Sequence, residues 1–167
     1  SVESRDQLFA AADAVKAASE AGAEAAGLSR MDSERMALAT STGNLCFHEA
    51  TQASLQMTVH AGSGSSYRSV TSRSWRDIPV RETVDGVVAE ALSARDPADS
   101  KPGEIDLVLE PQAVADLMPF ILMSLDARTS DEGITVFAGR EGEKVTSDRF
   151  TVSSVLGGII PGRPFDD

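Results

Sequence analysis

This 167-residue chain is poor in the residues from which active sites are most often built. It has one cysteine, Cys46, and two histidines, His48 and His60. A single cysteine excludes an internal disulfide and fits a reducing compartment, which leads to the expectation of a cytoplasmic protein. Aromatic residues make up only 5%, so any core must be built from Val, Leu, Ile, Ala and Met. Positive charge is scarce as well: 15 Lys and Arg stand against 26 Asp and Glu, a net charge of −11. Binding a nucleic-acid backbone or an anionic membrane needs a clustered positive surface, so neither is expected as a partner. No apolar run reaches the ~18 residues that would span a bilayer. The polar opening Ser1 to Asp6 does not read as a signal peptide. There is no initiator methionine, and the ending Arg163-Pro164-Phe165-Asp166-Asp167 reads as an internal cut.

What is present is ordinary for a folded protein. Hydrophobic residues are 41% and charged residues 25%, enough for one domain or two smaller pieces. Ser4-Arg5-Asp6-Gln7 has the form of a capping box and opens an alanine-rich helix from Gln7 to Glu20. Leu8, Ala11, Ala12 and Val15 share one of its faces, and Gly22 is placed to stop it. Strands follow: one starting near Glu24, another over Arg35 to Thr40, a turn at Ser41 to Asn44, and a return over Leu45 to Glu49. Thr51 to Ala61 alternates strictly, with Ala53, Leu55, Met57 and Val59 on the apolar side. After a loop at Gly62 to Ser66, Tyr67 to Trp75 alternates again. The expectation is an antiparallel meander of three or four strands.

From Pro79 the spacing of Val80, Val84, Val87, Val88, Ala91 and Leu92 predicts an amphipathic helix covering the meander. Asp96 to Gly103 contains two prolines and a glycine and reads as a linker. Ile105 to Leu109 then reads as a strand. Glu110-Pro111 stops it, and Ala113, Val114, Leu117, Phe120, Ile121 and Leu125 predict a helix with a wide apolar face. Pro119 removes a backbone hydrogen bond and predicts a kink or restart between Ala115 and Pro119. Short strands are expected at Ile134 to Ala138 and Val145 to Ser153, with a turn at Gly139 to Glu143 between them. The fold class is α+β.

Chemistry is hard to find. His48-Glu49 begins like H-E-x-x-H, but position 52 is Gln52 and the segment reads as a strand end. His48 and His60 are therefore expected at solvent, not on a metal. Cys46 and His48 lie on one face of a strand, a pairing that nucleophilic catalysis would need, although a small core thiol is the plainer reading. No G-x-S-x-G elbow exists among the serines from Ser63 to Ser74. Gly62-Ser63-Gly64 is not a phosphate loop. The carboxylate pairs Glu141 with Glu143 and Asp131 with Glu132 sit in turns. Tyr67, Arg68, Trp75 and Arg76 form a candidate basic-aromatic surface for an acidic partner segment. Its plainer reading is a charged ladder on a solvent-facing strand.

Several stretches together carry a resemblance. Gly103 to Leu117 (GEIDLVLEPQAVADL), Thr135 to Gly139, Gly142 to Val145 and Arg163 to Asp167 resemble the start of the C-terminal domain of TldD/PmbA proteins, also called modulators of DNA gyrase. Met36 to Gly43 and the long hairpin to Trp75 are similar to the end of that family's N-terminal domain. The resemblance implies a zinc metalloprotease assembly of two kinds of subunit. TldD carries H-E-x-x-x-H on a helix, and PmbA (TldE) shares the fold without that motif. The motif would fall on Pro119 to Ser124, where this chain has Pro119, Phe120 and Ser124 at the motif's His, Glu and second His. No histidine follows His60, so no shift of register restores it, and without it there is neither a zinc shell nor a carboxylate to activate water.

The resemblance therefore implies the non-catalytic PmbA-like branch. It places zinc on a TldD-like partner, with a peptide substrate shared between the subunits. It also implies an internal fragment. Residues 1–97 would end the family's N-terminal α/β domain, 98–103 would be a linker, and 104–167 would begin a β-rich C-terminal domain as strand, helix and strand. The family's cysteine ligand would lie beyond the last residue. A fragment with exposed junction surfaces is a candidate for self-association through strand edges. Two alternatives come with these expectations: a regulator that binds DNA gyrase or another protein, and a hydrolase whose site lies at Cys46 or outside these residues.

Overall fold

The structure is a computed structural model, and it describes residues 2–99, 102–153 and 155. Contacts divide the chain into two compact units at the junction of Lys101 and Pro102, the second running from Pro102 to Ser154. Each has its own architecture.

The first unit opens with helix α1 (Val2–Glu20). It begins before Ser4, so the backbone of Ser4 is helical and Ser4 is not the cap the sequence suggested. The end is as expected. Gly22 adopts φ 70°, the Ala23 N–H donates to Ala18 O at 2.9 Å, and the Gly22 N–H donates to Ser19 O at 3.0 Å. This paired closure satisfies carbonyls that the last turn leaves open and needs a residue tolerant of positive φ. The buried side of α1 is Ala14 and Ala18, with Ala10, Ala17 and Ala21 packed beside them. Leu8 and Val15 are exposed. The face marked by the larger side chains is thus the outer one. Alanine lets the helix sit close to its neighbours, and close seating selected the alanine face.

The sheet has three antiparallel strands in the order β1 (Glu24–Ala39), β2 (Leu45–Ala61) and β3 (Gly64–Ser72). The segments read separately at 24–30 and 35–40 are one strand, and so are those at 45–49 and 51–61. The β1–β2 ladder runs without a break from Glu24↔His60 to Ala39↔Leu45. The β2–β3 ladder runs only from Ala53↔Ser72 to Ala61↔Gly64. Beyond Ala53, β1 and β2 therefore continue as a two-stranded ribbon.

Strict alternation along β2 buries Ala53, Leu55, Met57 and Val59, the four positions the period of two selects. Helix α2 (Val80–Ser93) packs Val84, Val87, Val88 and Ala91 against Met57 and Val59. Pro79 is its cap residue, one position before the helix. Val59 and Val87 are fully buried; burial of each such side chain contributes about 1.5–3 kcal/mol before the entropy of ordering is set against it. A second cluster joins Ala53, Leu55, Trp75 and Ile78. Trp75 is not on β3 as expected. The chain leaves the strand at Ser72, the Ser74 side chain accepts from the Arg76 N–H, and a 3-10 turn over Trp75–Asp77 swings the indole inward.

The second unit holds α3 (Pro111–Met123) and α4 (Ala127–Asp131). Pro111 occupies the first turn of α3, where a missing N–H costs nothing, after Glu110 as cap. The helix runs continuously through Pro119, with no restart. Helix α4 begins where the Asp126 carboxylate accepts from the Thr129 N–H at 2.8 Å.

The strand–helix–strand pattern expected here does not form. Residues 104–110 form no strand, residues 135–139 are a bend and turns, and 145–153 contain no strand. A strand is stable only as a member of a ladder, and these runs find no partner backbone among the described residues. Nor is the apolar face of α3 buried: Leu117 is 50% and Phe120 71% exposed, and the helix has no buried residue. The turn at Gly139 to Glu143 is present, and the Glu143 N–H donates to Arg140 O at 3.0 Å. The resemblance at Arg163 to Asp167 lies outside the described residues.

Candidate functional site

Two helices of the first unit lie side by side and leave an open groove of about 600 Å³. Its floor is Ala10, Ala14, Val80 and Val84, with Trp75 at its edge. Carboxylates line the rim, but two are engaged: Glu20 by Lys16 at 3.8 Å and Asp85 by Arg81 at 3.6 Å. No histidine or cysteine reaches the groove. Among the described residues no three His, Cys, Asp or Glu side chains come together as a group able to hold a metal.

The most developed polar arrangement joins β3 to α2. The Arg68 guanidinium donates to the Glu90 carboxylate, and the Ser66 hydroxyl donates to the same carboxylate at 2.6 Å. These bonds, the arginine's first, hold the Glu90 carboxyl below the usual carboxylate range against a smaller opposing effect of burial. Gly86 makes room for the guanidinium; a Cβ there would lie 2.8 Å from an Arg68 nitrogen. Two strong donors on one carboxylate lock a helix to a strand. They commit both oxygens of that carboxylate to holding β3 against α2. Nothing in the sequence marked it, because the partners are 22 and 24 residues apart.

The proposed basic-aromatic surface is dispersed. Arg68 is committed to Glu90, and Trp75 is 5% exposed inside the core. Only Tyr67 and Arg76 are exposed, one on the strand and the other on the 3-10 turn. β3 ends at Ser72, before the alternation reaches Trp75, so the indole lies on the 3-10 turn and not on the strand.

Cys46 and His48 do share a face of β2, as their spacing requires. Met36 stands directly across from His48, and Leu38 across from Cys46. His48 is half-buried and His60 is exposed. Neither Cys46 nor His48 has a side-chain hydrogen bond or ion pair among the described residues. An imidazole that nothing orients is a poor general base.

In the second unit, Pro119 and Phe120 are exposed on α3, and Ser124 is its C-terminal cap. The Ser124 hydroxyl donates to Phe120 O at 3.1 Å, which closes the last turn. These three positions supply no metal ligand and no acid or base.

Residues 102–167 match the family model of the PmbA/TldA metallopeptidase C-terminal domain. This segment is similar to that domain of the PmbA/TldD family. The match begins at the same residue as the second compact unit and covers less than half of the chain. Neither a curated protein nor a solved structure matches the chain. No helix among the described residues is long and apolar enough to cross a membrane.

Proposed function

We propose that the protein is the PmbA/TldE-like, non-catalytic subunit of a PmbA/TldD metallopeptidase complex, working in the cytoplasm on peptides or proteins. In this reading residues 1–97 end the family's N-terminal domain, 98–103 link, and 104–167 begin its C-terminal domain. Zinc and the water-activating carboxylate belong to the TldD-like partner, and this chain helps enclose the peptide between them.

The observation that carries the proposal is the composition of α3 within the family segment. Positions 119–124, where the resemblance sets H-E-x-x-x-H, read Pro-Phe-Ile-Leu-Met-Ser. None of these side chains can serve as a nitrogen ligand to zinc or as a carboxylate base. Instead, α3 presents Leu117, Phe120, Leu122 and Met123 largely uncovered. An apolar surface of this kind is the usual signature of a face that another polypeptide covers.

A pull-down separates this reading from a gyrase-binding regulator. The full-length protein should capture a zinc-bearing TldD-type subunit and not DNA gyrase. Capture of gyrase without the TldD-type subunit overturns the proposal.

A further inference from the structure

We propose that Met36, Cys46 and His48, on the β1–β2 ribbon, form a binding site for a soft monovalent cation, Cu(I) in nature and Ag(I) as its laboratory equivalent. The proposal does not depend on the metallopeptidase-subunit reading, since the ribbon lies outside the family segment.

The placement follows from the ladder. Met36 pairs with His48, and Leu38 with Cys46. Directly opposed residues of an antiparallel pair project from the same face, with Cβ atoms about 4.5–5.5 Å apart. Residues two apart on one strand share that face as well. A thioether, a thiol and an imidazole therefore make a contiguous row. All three residues are half-buried, as are Leu38 and Ala50 at either end of the row. The Arg35 to Glu49 ion pair at 2.9 Å belongs to the opposite face by the same alternation, so it does not compete for the row. The thiol is not in a disulfide, and among the described residues neither it nor the imidazole is engaged by a hydrogen bond or an ion pair.

The donor set selects the metal. Thiolate and thioether sulfur favour Cu(I) over harder divalent ions. A structural zinc site needs four ligands from Cys, His and carboxylate, and no three such residues cluster among those described. A monovalent d10 ion is satisfied with two or three ligands, and here the thioether completes the set. The long, unbranched methionine side chain can adjust to reach an ion held by the other two. Binding exchanges the thiol proton for the metal: the S–H bond breaks, an S–Cu bond forms, and one proton goes to solvent. No electron is transferred, and copper enters as Cu(I).

The test is anaerobic titration of the full chain with Cu(I) in competition with bicinchoninate, and a parallel titration with Ag(I). Ultraviolet absorption from the thiolate–metal bond and proton release are read together. One metal per chain and one proton per metal are expected. Cys46→Ser should abolish binding, and Met36→Leu and His48→Gln should each weaken it by about tenfold or more, the scale seen when supporting groups of metal sites are removed. Circular dichroism of each variant confirms that the sheet persists. If Met36→Leu or His48→Gln binds as the parent does, the metal sits on a bare thiol and the site is refuted. Failure of the parent chain to compete with bicinchoninate also refutes it.

Discussion

Gly64 offers the sharpest test of how the first unit is held together. It opens β3 where the β2–β3 hairpin meets the C-terminal end of α2. A Cβ at this position would lie 2.2 Å from Ala91 O and 2.8 Å from both Ala94 C and Arg95 N. All three are backbone atoms, so no side-chain rotation relieves the clash. Neighbouring bonds fix the same corner: Arg95 Nε donates to Ala61 O at 3.2 Å and the Asp96 N–H donates to Ser63 Oγ at 2.8 Å. Elsewhere Gly→Ala stabilises by about 0.4–1 kcal/mol through the unfolded chain. Overpacking a tight site costs about 1–3 kcal/mol, and here the upper end applies. Gly64→Ala should therefore lose ~2 kcal/mol net, roughly a 30-fold drop in the folded-to-unfolded ratio.

Gly86→Ala is the matched control. Its added methyl meets only the end of the Arg68 side chain, and alanine is favoured in a helix by about 1 kcal/mol. The guanidinium must shift on Glu90 to admit it, so Gly86→Ala should cost less than Gly64→Ala, where the clash is with backbone. Urea denaturation followed by the emission of Trp75, the one tryptophan, reports on this unit, since the indole is buried there. Equal stability of Gly64→Ala and the parent chain would refute the packing described for that corner.

Other perturbations have equally definite outcomes. The folded state holds the Glu90 carboxyl below its ordinary 4.5, so below that value the unfolded state binds more protons. The Arg68 and Ser66 contacts thus stabilise the fold above about 4.5 and are lost as pH falls through the lower folded value. Glu90→Gln should lower stability at neutral pH and flatten its fall in acid, as read by urea midpoints across pH. Phe120→Ser removes a 71% exposed ring; it should change the stability of the chain by less than about 0.5 kcal/mol yet weaken capture of the TldD-type subunit. Unchanged capture would remove α3 from that interface.

The sequence is most legible where one period governs one face. Val84, Val87, Val88 and Ala91 on α2, and Ala53 to Val59 on β2, are buried as their spacing demands. Helix α1 misleads because its alanines give little contrast between faces, and the side chains large enough to mark one are on the outside. The same limit applies to α3: periodicity shows that a face is apolar, not that anything covers it. Residues 105–109 and 134–138 have strand composition, but a ladder is a non-local property that composition cannot supply. Trp75 moved off the strand because a serine cap ended the alternation one turn early. The Arg68–Glu90–Ser66 lock was invisible for the same non-local reason. The soft-donor row on the ribbon needed the β1–β2 register before Met36 could be set against His48.

We propose that this chain brings no catalytic metal to a PmbA/TldD-type assembly. Metal analysis of the purified full-length protein, alone and after reconstitution with a TldD-type subunit, tests it most directly. The account predicts no stoichiometric zinc in the protein alone and one zinc in the pair, contributed by the partner. One tightly bound zinc per chain in the isolated protein would contradict it.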